Sequence, residues 1–292
     1  MLLRRLVDFV VNSNLWISMG AAAMVAQTYI LLGTGIQIDA LVGLLFFSTL
    51  FIYLFQRFNS KAEIDLDTNT MLAWVRRRDK LVIGLMLVSL IGSIVTFFQL
   101  QPKVQLAFGI LAAISCLYSI NLFGSFGRHF RLRDVGWLKT FVVALVWAGC
   151  TGWLPALQVT QNTETSEILM ITLERFLFLL AITLPFDIRD LHYDKGGKTT
   201  STLPMVFGIE RIKRSSIVVL LLFMLVTSFH YGTLSGTGHL AYVAAFLISG
   251  GTTAILLLKV KDKLPEHFYT FYIDGTILFQ FLILLLIHTV FC

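Results

Sequence analysis

The sequence predicts an all-α integral membrane protein, with nine transmembrane helices around a central cavity. Three observations support this prediction. Apolar residues dominate the 292-residue chain, they fall into nine long continuous runs, and the basic residues lie almost entirely in alternate connections. A helix needs about 20 apolar residues to cross a hydrocarbon core of about 30 Å. We therefore expect residues 1–292 to form a single transmembrane domain.

The composition excludes an ordinary soluble protein. Hydrophobic residues make up 57% of the chain and charged residues only 14%, and the mean hydropathy is +0.80. Soluble domains carry about 25% charged residues. The net charge of +6 comes from basic residues beside apolar runs rather than along one polar face, which is typical of topology signals and argues against nucleic-acid binding. The lipid bilayer is the expected surrounding.

The apolar runs set the number of predicted spans. They are continuous rather than alternating, which excludes a β-barrel, and the prolines Pro102, Pro155, Pro185 and Pro265 lie near their ends, where a missing N–H costs least. Before the first run, residues 2–10 can form a short amphipathic helix at the membrane surface. The predicted spans are 15–36, 38–56, 81–99, 103–123, 137–155, 167–186, 215–232, 238–258 and 271–290.

Basic residues predict the orientation. All Lys and Arg residues except Lys103 and Arg175 lie in or beside the amino-terminal segment and the loops after the even-numbered spans. By the positive-inside rule, these regions and the amino terminus are cytoplasmic. We expect a multi-pass protein of a bacterial inner membrane, with functional residues in two long cytoplasmic loops at about 57–80 and 187–214.

The most informative segment follows the sixth predicted span. Asp187, Asp190 and Asp194 are spaced three and four residues apart, so on a helix they share one face. Clustered carboxylates suit Mg²⁺, which also binds phosphate oxygens, and Arg189 and Lys198 can contact the same phosphate. The other interpretation, from spacing alone, is a solvated loop with scattered charges.

The wider pattern resembles a known family. Asp-x-Arg-Asp-x-x-x-Asp over residues 187–194, then Gly197-Lys198, Thr-Leu-Pro at 202–204 and Gly208, is similar to the second aspartate-rich motif of the UbiA superfamily of intramembrane prenyltransferases. The number of spans and the two long loops agree with this resemblance across nearly the whole chain. Tyr118 and Lys139 also resemble the family's tyrosine and basic positions.

The resemblance implies an Mg²⁺-dependent enzyme. Such an enzyme transfers a polyprenyl group from its diphosphate to a hydrophobic, often aromatic, acceptor within the membrane. Two aspartate-rich motifs would hold Mg²⁺ and diphosphate, with Asp190 and Asp194 as catalytic residues. Arg57, Tyr118, Lys139, Arg189 and Lys198 would bind the substrate. Metal and basic groups would stabilise the charge that develops on the leaving diphosphate.

The first motif departs from the family pattern, Asn-x-x-x-Asp-x-x-x-Asp, and two registers compete. In one, Asn59, Glu63 and Asp67 are ligands on one helical face, with Glu replacing Asp. In the other, residues 53–57 occupy the motif position, the carboxylates are missing, and Arg57 faces the diphosphate. A solvated loop is the third interpretation. This departure leaves open a second class of function, in which the protein binds prenyl lipids or acts as a scaffold and has lost catalysis. Transport of a small molecule is a third class.

Other polar groups have two interpretations each. Glu174 and Arg175 lie within the sixth span, where a charge is costly and is usually functional or paired. Glu174 either lines the same cavity as Asp187, at greater depth, or contacts another helix. Asp274 either faces the cavity or interacts with a helix amino terminus. His230, His239 and His288 are expected to be solvated near the outer ends of spans.

Overall fold

The structure is a computed structural model that describes residues 2–60, 70–119, 136–159, 164–194, 203–233, 237–261 and 264–291. Across these ranges the regular structure is entirely helical. The α-helices are α1 Leu2–Asn12, α2 Leu15–Leu31, α3 Ala40–Ser60, α4 Thr70–Arg76, α5 Asp79–Phe98, α6 Pro102–Ser119, α7 Gly136–Ala148, α8 Leu154–Gln158, α9 Thr165–Asp194, α10 Leu203–Phe207, α11 Ile209–Thr233, α12 Thr237–Leu258 and α13 Gly275–Phe291. Two π-helical turns, Gly149–Trp153 and Phe268–Ile273, precede α8 and α13.

Seven helical segments in the described ranges are long and apolar enough to cross a membrane. They contain α3, α5, α7 with its continuation through α8, α9, α11, α12, and α13 with the π-helical turn before it. α1 and α2 meet at an angle of 69° and count as an eighth crossing if they form one broken span, whereas α6 is a shorter apolar helix. The all-α prediction is therefore confirmed, while nine spans and a cytoplasmic amino terminus stay predictions.

The helices pack in a ring. α3 packs against α2 and α5, α9 packs against α7 and α11, and α12 packs against α11 and α13. α13 packs against α2, and the π-helical turn Gly149–Trp153, which continues α7, packs against both α2 and α9 and so closes the ring. Apolar side chains on the outside of the ring, such as Leu87, Ile91 and Phe98 on α5, are more than half exposed, as expected for a surface that faces lipid.

Pro185 lies inside α9, one residue before the predicted end of the sixth span. The helix continues for nine residues beyond it, to Asp194. A proline in a helix leaves the carbonyl four residues earlier without its N–H donor. That carbonyl belongs to Ala181, and the Ser216 hydroxyl of α11 donates a hydrogen bond to it. This replacement bond lets α9 continue and carry the acidic residues as a helix rather than a loop.

Candidate functional site

The end of α9 directs two of the three predicted carboxylates toward α7. Asp187 is buried, with 2% of its surface exposed, and its Oδ2 accepts a hydrogen bond of 2.6 Å from the Thr140 hydroxyl. One turn later, Asp190 Oδ2 lies 2.8 Å from the Lys139 ammonium nitrogen. The two carboxylates therefore share a face, as the three-residue spacing predicts, and that face packs on neighbouring protein rather than pointing into solvent.

Arg189 adds a second cation to Asp190. Its Nε and Nη2 donate to Asp190 Oδ1 at 3.0 and 2.8 Å, and its guanidinium lies 4.8 Å from the centre of the Phe186 ring. A charge-assisted pair with two parallel donors fixes the carboxylate orientation as well as its charge. Both oxygens of Asp190 are thus held by basic side chains from α7 and α9.

A third cation comes from α3. Arg57 donates to the Asn12 carbonyl at 3.2 Å and lies close enough to Arg189 for their charges to interact. Asp274, at the junction between the second π-helical turn and α13, interacts electrostatically with both arginines. This arrangement supports the interpretation that Asp274 faces the site. We call Arg57, Lys139, Asp187, Arg189, Asp190 and Asp274 the polar cluster; its members come from α3, α7, α9 and the start of α13.

The other predicted site residues divide into two groups. Asn59 is on the last turn of α3 and is exposed. Tyr118 and Asp194 occupy helical positions near the ends of α6 and α9, but their side chains lie outside the described part. Glu63, Asp67 and Lys198 lie wholly outside the described residues. Arg57 of the second register joins the polar cluster, while Glu63 and Asp67 of the first register lie outside the described residues, so both registers stay predictions.

The polar cluster has a donor set that fits one Mg²⁺. In the described residues, no group of three or more acidic, histidine or cysteine side chains is placed to bind a metal. Mg²⁺ is commonly bound by one or two carboxylates, with waters and substrate phosphates completing its coordination. Asp187 and Asp190, two carboxylates on one face of a helix, supply that set.

A second polar region lies deeper in the bundle, around Glu174. Its Oε1 lies 2.6 Å from His230 Nδ1, and Tyr231 donates to its Oε2 at 3.3 Å. Glu174 therefore contacts another helix, α11, which was one of its two interpretations. The prediction that His230 and His288 are solvated is wrong, because His230 is buried against Glu174 and the ring of His288 hydrogen-bonds with Tyr242 at 2.8 Å.

Arg175, the next residue, bonds with a separate group of neutral side chains. Its Nη1 donates to Gln280 Oε1 at 3.2 Å, and its Nη2 donates to the Thr28 hydroxyl at 3.3 Å. Gln280 also accepts from Gln27 and donates to Ser249. These bonds join α2, α9, α12 and α13 inside the ring. Sequence reasoning identified the two charges in α9 but not their partners, because glutamine and threonine in apolar runs give no distinctive pattern.

Thr140 was also missed. It follows the predicted Lys139 directly and is buried, and its hydroxyl is the group that orients Asp187. A single threonine at the start of an apolar run carries no signal of this role. Only the packing of α7 against α9 reveals it.

Comparisons with known proteins identify similar structures but no similar sequences. No protein-family model matches the chain, and no curated protein matches its sequence significantly. A solved structure from a study of digeranylgeranylglyceryl phosphate synthase is similar with a TM-score of 0.54 and 11% identity, covering 98% of both chains. A UbiA homolog from Archaeoglobus fulgidus bound to GPP and Mg²⁺ is similar with a TM-score of 0.55 and 15% identity, and the match covers 96% of this chain and 97% of that one. The structure of a UbiA homolog from Archaeoglobus fulgidus bound to DMAPP and Mg²⁺ is similar with a TM-score of 0.54 and 14% identity, and the match covers 96% of each chain. At these identities the likeness shows the fold.

Proposed function

We propose that this chain, which has the fold of the UbiA-type prenyltransferases, is itself an intramembrane prenyltransferase. It transfers a polyprenyl group from its diphosphate to a hydrophobic, often aromatic, acceptor, and it requires Mg²⁺. The reaction takes place in one transmembrane domain of a bacterial inner membrane, with the amino terminus and the polar cluster on the cytoplasmic side.

The observation that carries this proposal is the convergence of the polar cluster. Lys139 from α7 and Arg189 from α9 bind Asp190, which lies one turn after Asp187 on α9. Arg57 from α3 lies close enough to Arg189 for their charges to interact. A mixture of cations and carboxylates at one end of an apolar bundle suits a ligand with a highly charged head and a hydrocarbon tail. Prenyl diphosphates have this structure, and solved proteins with this fold were bound to GPP and to DMAPP with Mg²⁺.

In the proposed reaction, each basic residue stabilises negative charge on the leaving diphosphate. Cleavage of the allylic C–O bond transfers an electron pair to the diphosphate, and donors already held in place lower that barrier without reorganisation. Asp190 holds Lys139 and Arg189 in position through three hydrogen bonds. Asp187, Asp190 and Asp194 would hold Mg²⁺, which would neutralise further charge on the diphosphate.

The remaining predicted residues are assigned by the same proposal. Tyr118 and Lys198 bind the substrate, and Arg57 contacts the diphosphate from α3. Asn59, Glu63 and Asp67 stay proposed ligands on the opposite side of the site. If Arg57 takes over the neutralising role of the first motif, those three residues contribute less than Asp187 and Asp190.

The test is turnover by the purified protein in lipid nanodiscs. Prenyl diphosphates of increasing chain length are supplied with Mg²⁺, and diphosphate release is followed with and without aromatic acceptors. We expect release by the wild type and its loss in Asp190→Asn. The control is Glu164→Gln, since Glu164 lies just before the opposite end of α9 and is exposed.

Two outcomes would contradict the proposal. Tight binding of prenyl diphosphates without release at any chain length would identify a binding or scaffold protein that shares the fold. Movement of the labelled lipid or of a small solute across sealed vesicles, without bond cleavage, would identify a transporter.

A further inference from the structure

α5 has a largely uncovered surface. It packs against α3 and, at its start, against α4. Of its 20 residues only Val82 and Ser89 are buried. Exposed apolar side chains recur along it every three or four residues and so form one stripe, which comprises Ile83, Leu87, Ile91, Ile94 and Phe98. An apolar stripe that runs the length of a helix needs a hydrocarbon partner.

A group of cations lies at the start of that stripe. Lys80 lies three residues before Ile83 on the same side of α5, and Arg76, Arg77 and Arg78 come just before it along the chain. All four basic residues are exposed. With the single carboxylate of Asp79 between them, residues 76–80 carry four positive charges and one negative charge, a net charge of +3. We call Arg76, Arg77, Arg78 and Lys80 the basic strip.

The packing of α5 on α3 places the basic strip at the same end of the bundle as the polar cluster. Val82 of α5 belongs to one apolar cluster with Leu54 of α3, whereas the Phe47 ring of α3 packs on Gly92, further along α5. The two helices therefore run in opposite directions. Lys80 then lies at the level of the last turns of α3, where Arg57 joins the polar cluster. On the predicted orientation, this level is that of the headgroups of the cytoplasmic leaflet, which contains anionic lipids.

Aromatic rings from α1 and α4 support the basic strip. The Arg78 guanidinium lies 4.8 Å from the centre of the Trp74 ring. Phe9 of α1 contacts the same ring edge to face, with 6.0 Å between the ring centres. A guanidinium stacked on an aromatic face is already oriented, so it loses less freedom when its planar donors bind a phosphate. Tryptophan is also enriched at the membrane–water interface.

We propose that the basic strip and the exposed stripe of α5 bind an anionic phospholipid. Its phosphate contacts Arg77 and Lys80, and one acyl chain lies along the stripe. Lys80 and Ile91 are 11 residues apart, which is about 16 Å along a helix and about half of a hydrocarbon core of about 30 Å, the depth of one leaflet. A zwitterionic lipid has the same chains, but the cation in its headgroup is repelled by the strip. The surface is separate from the polar cluster, so this inference does not depend on prenyl transfer.

The test measures lipid binding to the intact purified protein by native mass spectrometry. The protein is titrated with dioleoyl phosphatidylglycerol, with zwitterionic dioleoyl phosphatidylcholine, and with glycerol 3-phosphate, which has the phosphate but no chains. We expect phosphatidylglycerol to bind most tightly and glycerol 3-phosphate to show no measurable binding. In Arg77→Gln/Lys80→Gln, the Kd of phosphatidylglycerol should rise about 25-fold, about fivefold for each cation removed, while that of phosphatidylcholine should not rise.

Two further variants separate a site from general positive charge. Arg211→Gln/Arg214→Gln removes two exposed cations from the first turns of α11, which is joined through α10 to the end of α9 and so begins at the same end of the bundle. This matched control should leave the Kd of phosphatidylglycerol within twofold of wild type. Arg77→Lys/Lys80→Arg keeps both charges and should bind phosphatidylglycerol within threefold of wild type. It shows whether a loss of binding in the glutamine variant comes from lost charge or from a failure to fold.

Four results would overturn the inference. Equal Kd values for the two phospholipids would mean that the strip does not read headgroup charge. Equal weakening in the α11 control would mean that the whole basic surface acts without a site. Binding of glycerol 3-phosphate as tightly as phosphatidylglycerol would identify a site for free phosphate compounds. A stable dimer without bound lipid in the same spectra would mean that a second copy of the chain covers α5.

Discussion

Replacing Lys139 with methionine separates the proposed catalytic role of the polar cluster from its structural role. Lys139 lies 2.8 Å from Asp190, but its side chain is 39% exposed and Arg189 still makes two bonds to the same carboxylate. A partly exposed ion pair contributes about 1 kcal/mol or less to stability. Loss of one donor that stabilises charge in a transition state costs about 100-fold in rate, or about 2.7 kcal/mol. We therefore predict a large loss of activity with little loss of stability.

The assay combines initial rates of diphosphate release with thermal unfolding of the same preparation in detergent. Lys139→Met should reduce the rate about 100-fold while the free energy of unfolding falls by no more than about 1 kcal/mol. Lys139→Arg retains the charge and should recover part of the rate. A rate within threefold of wild type would refute the reasoning, as would a loss of stability large enough to account for the lost activity.

Three further predictions follow from individual contacts. Ser216→Ala should destabilise the protein by about 1 kcal/mol, because it removes the donor to the Ala181 carbonyl. In a Pro185→Ala background, the backbone N–H of residue 185 can donate to that carbonyl instead. Unfolding measurements should then show almost no effect of Ser216→Ala. Glu174→Gln should lower the free energy of unfolding by about 1 kcal/mol, because it weakens the bond to His230. Combined with His230→Ala in a double-mutant cycle, it should give a non-additive loss of stability. Additive losses would mean that the two residues are not coupled. Chelation of divalent cations should abolish diphosphate release and leave the unfolding temperature nearly unchanged; unaltered release after chelation would exclude a metal-dependent reaction.

Much of the fold was predictable because lipid imposes strong limits on sequence. A helix that crosses a membrane must be apolar along about 20 residues, so α3, α5 and α9 are visible as runs in the sequence. The continuation of α9 past Pro185 was less predictable, because a proline normally interrupts a helix. The hydroxyl of Ser216, on another helix, compensates for it, and a single sequence gives no sign of that contact.

The candidate site was predictable only where its residues are close in the chain. The spacing of Asp187 and Asp190 indicates one helical face without any tertiary information. The positions of Thr140 and Asp274 depend on how α7 and α13 pack, which periodicity does not encode. The same limit explains why the sequence left two registers open for the first motif.

The most direct measurement is an experimental structure of the protein with Mg²⁺ and geranyl S-thiolodiphosphate, an analogue that resists cleavage. The central claim is that the inner face of α9 and the basic residues of α3 and α7 bind the same diphosphate. The analogue's diphosphate should then lie between Asp187 and Asp190 on one side and Arg57 on the other, with Lys139 in contact with it. A diphosphate bound elsewhere, or a polar cluster that remains free of ligand at saturating analogue, would contradict the claim.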